Sequence, residues 1–87
     1  MNKKEFNKIY FSCRRGIWEL DIVFINFLKF EFFNLTKDEL NNFKLLLLNE
    51  DQDLYSWIIK SEKCKNVEFN NLIYKIKQFI SYNNFIY

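Results

Sequence analysis

The sequence contains no histidine, no proline and no alanine, and only one glycine and two cysteines in 87 residues. Each absence removes a class of function. Without histidine there is no imidazole base near neutral pH, no Ser-His or Cys-His pair, and no histidine ligand for zinc. One glycine and no proline exclude a collagen-like or linker-like chain, and they disfavour an all-β sandwich, which needs many Gly/Pro turns. Cys13 and Cys64 stand far apart and neither belongs to a Cys-x-x-Cys motif, so neither a zinc ribbon nor a dithiol redox motif is available. Both read as reduced, packed thiols of a cytoplasmic protein. Arginine is scarce as well: the two that occur, Arg14 and Arg15, are adjacent, and the only glycine, Gly16, follows them.

What is present bounds the fold. The chain is 49% hydrophobic and 21% aromatic with a net charge of +2, which is the composition of a folded domain rather than a disordered one. Its length suits one domain whose folding buries about two-thirds of the surface of the unfolded chain. The most apolar stretch, Leu20 to Phe33, is too short and too interrupted (Asp21, Asn26, Lys29, Glu31) for a membrane span of about 20 apolar residues. The start of the chain has no apolar run behind its lysines and does not read as a secretory signal or a transit peptide. Lysines interleave with eleven acids and form no basic helix face, so nucleic acid is not an expected partner. Scarce Ala, Pro, Gly and Arg beside abundant Lys, Asn, Ile and Phe reads as A/T-rich codon usage, which the base composition of the gene would test; the aromatic count then says little about function.

Periodicity predicts an all-α, compact, single-domain five-helix bundle over 1–87, with helices at about 4–15, 17–33, 37–48, 52–60 and 66–81. Phe6, Ile9, Tyr10 and Cys13 form the first helical stripe, and Gly16 is expected to close that helix in the left-handed conformation. The second helix is apolar on almost every side, as in a central helix. Arg15, Glu19 and Asn26 are spaced to share one of its faces. Thr36 and Glu39 fit a capping box, after which Leu40, Phe43 and Leu47 line one face. The run Asn49 to Asp53 reads as a turn whose carboxylates favour the start of a fourth helix, with Leu54, Trp57 and Ile58 inward. It lacks the glycine and later glutamate of a calcium loop. Asn66 is a cap for the fifth helix, whose stripe is Phe69, Leu72, Ile73, Ile76, Phe79 and Ile80. Fraying is expected from Tyr82 onward. Trp57 and the phenylalanines read as core. Trp18 is open between core and interface anchor.

The segment Cys13-Arg14-Arg15-Gly16-Ile17-Trp18-Glu19-Leu20-Asp21 resembles the Arg-Gly-x-x-Glu-Leu-Asp signature of the succinate dehydrogenase assembly factor family. Further matches are the Phe-rich stretch Phe27 to Phe33, the helix start Leu35 to Leu40, the acidic segment Glu50 to Leu54 and Tyr55-Ser56-Trp57-Ile58. Together they cover about Lys8 to Ile80. The chain departs from the family at Phe30, where a histidine is common, at Gln52, where a proline is usual, and at Glu62 and Cys64, where glycine and proline are usual.

The resemblance implies a five-helix domain that is not itself an enzyme. It implies binding to the flavoprotein subunit of succinate dehydrogenase, and of fumarate reductase, and promotion of covalent FAD attachment to a histidine of that subunit. No catalytic residue, metal site or stably bound cofactor is expected in this chain. The partner contact would fall on Arg15, Gly16 and Glu19, with Arg14, Trp18 and Asp21 beside them. The plainer alternative for Arg15 and Glu19 is a surface ion pair worth about 0.3–0.5 kcal/mol, and for Gly16 a helix cap. A monomer in a bacterial cytoplasm is expected, although the apolar second helix allows weak self-association. The alternative function is a generic helical interaction module, such as an antitoxin-like regulator.

Overall fold

A computed structural model describes residues 3–83. Five α-helices follow one another with no strand among the described residues: α1 (Lys3–Cys13), α2 (Trp18–Glu31), α3 (Lys37–Leu46), α4 (Asp51–Ile58) and α5 (Val67–Asn83), with one 3₁₀ turn, Phe32–Asn34, closing α2. The connections are short, and α2 packs against both α1 and α5 while α5 also covers α3 and α4. The radius of gyration, 11.9 Å, is that of a compact domain of this length, about 12 Å. No helix among the described residues is long and apolar enough to cross a membrane.

Local rules set most boundaries. The Thr36 hydroxyl accepts from the Glu39 amide at 3.1 Å, and the Glu39 carboxylate accepts from the Thr36 amide at 3.0 Å, so the capping box is complete. Asn66 caps α5 through the Phe69 amide at 2.9 Å. The loop before α5 is pinned by Asn70, whose side chain accepts from the Cys64 amide and donates to the Cys64 carbonyl. Asn49 donates to the Leu46 carbonyl at 3.0 Å and so satisfies the end of α3.

The helices are shorter than the periodicity predicts at the ends where side chains cross to other elements. Helix α1 stops at Cys13, two residues before the expected end, and α3 stops at Leu46. Helix α5 runs beyond the expected end to Asn83, so Tyr82 and Asn83, where fraying is expected from the sequence, are helical, with Tyr82 exposed; the rest of that expectation, residues 84–87, lies outside the described residues.

The core gathers the expected stripes. Ile9 and Cys13 of α1, Leu20, Val23, Phe24, Phe27 and Leu28 of α2, Leu40, Phe43 and Leu46 of α3, Leu54 and Ile58 of α4, and Leu72, Ile73, Ile76 and Ile80 of α5 are all buried. Phe27 is central: its ring lies 5.5 Å from that of Phe43 and 5.6 Å from that of Phe79, the latter edge-to-face, a geometry favoured by the ring quadrupoles. Not every phenylalanine is core, contrary to the expectation: Phe11, Phe30 and Phe33 are exposed, and Trp57 is only half-buried. Phe30 still lies 6.0 Å from the ring of Phe79 on α5, and Trp57 packs against the core with part of its surface left open.

Candidate functional site

The four residues Arg14 to Ile17 form the connector between α1 and α2. Ile17 occupies the N-cap position of α2 and has no side chain able to accept a hydrogen bond. That work falls to Asp21, one turn inside the helix. Its carboxylate reaches back, accepting from the Arg15 amide at 2.6 Å and the Gly16 amide at 3.3 Å. A carboxylate is favoured there by the helix dipole. Asp21 therefore fixes the connector's backbone.

Arg15 does not point to solvent. Its Nε donates to Asp51 Oδ1 at 2.6 Å, one Nη to the Ser12 and Leu47 carbonyls at 3.0 and 2.6 Å, and the other Nη to the Asn49 carbonyl at 2.8 Å. Its side chain is 16% exposed. The planar, five-donor guanidinium is matched to such a spread of acceptors. Two of these carbonyls, those of Ser12 and Leu47, lie at the C-terminal ends of α1 and α3, where helix dipoles favour a cation. One side chain thus ties the end of α1, the α3–α4 turn and the start of α4 together.

Glu19 takes a third direction, accepting from the Tyr55 hydroxyl at 3.1 Å. The Arg15–Glu19 ion pair, the plainer alternative for these two residues, does not form, and Arg15, Glu19 and Asn26 do not share the expected helix face. The reason is that Arg15 sits outside α2, while Asn26 bonds back to the Ile22 carbonyl of its own helix at 2.8 Å. Asp51, read from the sequence as a solvated helix start, is the counter-ion of Arg15.

Gly16 is exposed with φ +85°, in the left-handed region, and beyond its two chain neighbours no atom lies within 4 Å of the position a Cβ would take. It makes the turn between the two helices rather than capping α1 directly. A side chain there would be strained by the backbone, not by crowding, at about 1–3 kcal/mol. Trp18 is 67% exposed beside it, and Arg14 is exposed as well. The six sequence-selected residues therefore divide: Arg15, Glu19 and Asp21 bind other parts of the chain, whereas Arg14, Gly16 and Trp18 are displayed. Asp51 and Tyr55 complete the arrangement. They belong to the acidic and aromatic segments noted in the sequence, but nothing local marks them as partners of a site 36 residues away.

Beneath the connector, Cys13 is fully buried, and burial pushes its thiol up to about 12, with Arg15 acting weakly in the opposite direction. It is a neutral packed group, not a nucleophile. No cluster of metal-ligating side chains occurs among the described residues.

The family described as flavinator of succinate dehydrogenase matches residues 7–80. The chain belongs to this family. Among relatives of the flavinator family, the FAD assembly factor SdhE of Coxiella burnetii is 40% identical over 74 residues, covering 85% of this chain and 90% of the relative. That of Vibrio cholerae is 36% identical over 69 residues, 79% and 80% of the two chains. That of Wigglesworthia glossinidia brevipalpis is 38% identical over 78 residues, 90% and 93%. The fold is also that of a UPF0350 protein solved in solution, with a TM-score of 0.73 at 33% identity, covering 97% of this chain and 87% of the other. The family match contains the whole connector and every residue that holds it.

Proposed function

We propose that this flavinator-family chain is an assembly factor that binds the flavoprotein subunit of succinate dehydrogenase, and of fumarate reductase, and promotes covalent attachment of FAD to that subunit. The observation that carries the reading is the connector itself: Arg14 and Gly16 are displayed on a turn whose backbone is clamped from behind by Asp21 and whose position is fixed by the inward-turned Arg15. The names of the relatives point to the same activity.

In this reading the attachment chemistry belongs to the flavin and to the partner's own histidine. The chain acts as a rigid template. Arg14, Gly16 and Trp18 meet the flavoprotein, Gly16 allowing close approach of the partner's backbone. Arg15, Glu19 and Asp21 hold that surface in shape. Fixing the partner so that its histidine faces the flavin ring lowers the barrier through orientation, and this requires no catalytic residue, metal or stably bound cofactor in the chain. It would act as a monomer in a bacterial cytoplasm.

The test is coexpression of the flavoprotein subunit with wild-type chain, Gly16→Leu or Glu19→Ala, reading covalent flavin by in-gel fluorescence. Wild-type chain should raise the fluorescence. Gly16→Leu should abolish the gain while circular dichroism stays helical, because the substituted site faces open space. Equal fluorescence with and without the wild-type chain would sink the proposal, and an unfolded Gly16→Leu would show that the glycine serves the fold instead.

A further inference from the structure

A groove of about 540 Å³ runs along the molecule between α1 and α3. Its walls carry Lys4 and Lys8 from α1 and Lys44 from α3, and its apolar lining includes Leu45 and Leu48. Leu48 is 81% exposed and Leu45 44%, which is costly surface for an isolated domain to leave in water. Lys44 is held by Glu5 at 3.4 Å. Lys4 and Lys8, one helical turn apart, have no ion-pair partner among the described residues. Spacing along α1 puts exposed Phe11 at the connector end of the same face as Lys4 and Lys8.

The groove is continuous with the connector. Ser12 and Leu47, two of its lining residues, supply carbonyls that Arg15 grips. A partner seated on the connector would therefore pass directly over its mouth. In the lining Ile9 and Leu47 are buried and Leu45 and Leu48 are exposed, three lysines outnumber the one acid, Glu5, and the volume suits a few side chains. Interfaces of this kind pair with segments of opposite charge, in which carboxylates flank apolar anchors.

We infer that the α1–α3 groove is a second contact surface, which takes an acidic amphipathic segment of the flavoprotein partner, with its leucine-class side chains on Leu45 and Leu48 and its carboxylates on Lys4 and Lys8. The inference rests on the proposed function and extends it. The connector fixes where the two proteins meet, and the groove adds affinity and orientation. A two-point contact resists rotation, which a single small turn cannot do.

The experiment measures binding of purified flavoprotein subunit to three chains by titration calorimetry, at low and at raised salt. The chains are wild type, Lys4→Glu/Lys8→Glu, and Leu45→Ser/Leu48→Ser, each checked for native helicity. Both double variants should weaken binding by about tenfold or more, equivalent to about 1.4 kcal/mol, and the lysine variant should also flatten the salt dependence. Lys4→Arg/Lys8→Arg should bind as wild type. Wild-type binding with both variants unchanged overturns the groove and leaves the proposed function standing. Failure of the wild-type chain to bind at all overturns both. Sensitivity to the leucines alone overturns the acidic character assigned to the segment.

Discussion

The two halves of this small domain are held by different chemistry. Where α2, α3 and α5 meet, Phe24, Phe27, Phe43 and Ile76 are fully buried and make no polar contact through their side chains. At the opposite end, the α1–α2 connector is fixed by directed bonds: the Arg15 guanidinium on three carbonyls and Asp51, Asp21 on two amides, Glu19 on Tyr55. Apolar packing is non-directional and roughly proportional to area, so it sets how stable the domain is. Hydrogen-bonded ion pairs contribute less net energy but fix angles and distances. The contrast implies that stability and connector geometry are separable here, the first carried by rings and the second by Arg15, Asp21 and Glu19.

The largest test of that separation is Phe27→Ala. Removing a central ring should cost about 3–5 kcal/mol, read as a lower urea midpoint, and should open the amides of α2, α3 and α5 together in hydrogen exchange. Arg15→Ala should cost less, about 2–3 kcal/mol, since its partners include charge-assisted bonds left unmade. Its exchange signature should be local, with the Arg15 and Gly16 amides losing the protection Asp21 gives them, and flavin attachment should fall further than the stability loss accounts for. Arg15→Lys should recover part of the stability and little of the activity, because a point charge cannot reproduce the fork. If Arg15→Ala opens the whole domain, the two halves are not separable.

The smallest expected effect lies between the halves, at the start of α3. Bonds from Lys75 and from the Thr36 backbone hold the Glu39 carboxyl below its ordinary value of 4.5. A lowered value means that the ionised form is favoured in the folded state. The stabilisation is therefore present above the ordinary value and is lost as pH falls through the lowered one. Glu39→Gln should make the urea midpoint less sensitive to acid over that range and leave it only slightly changed at neutral pH, because the group is a third exposed and screened.

How much of this was legible in the sequence follows from how local each interaction is. The Thr36–Glu39 box and the Asn66 cap join residues three apart, and the stripe on α5 repeats within one helix, so pattern alone revealed them. The family was legible through the connector and the acidic and aromatic segments together. The partner of Arg15 was not, because Asp51 lies across the fold and its place in an acidic run gives it a sufficient local explanation. Helix spacing suggested Glu19 instead, an inference that fails once the chain leaves the helix at Cys13. Exposure of Phe11, Phe30 and Phe33 was likewise hidden, since residue type reports what a side chain tolerates and not which faces its neighbours leave open.

Three of the four groups Arg15 grips are main-chain carbonyls, at Ser12, Leu47 and Asn49. Every residue carries such an oxygen. Substitution of those side chains leaves the acceptors in place, so the geometry of the connector is buffered against sequence drift in the segments that support it. A connector secured in this way keeps its shape whatever side chains stand at Ser12, Leu47 and Asn49, provided the backbone there is unchanged.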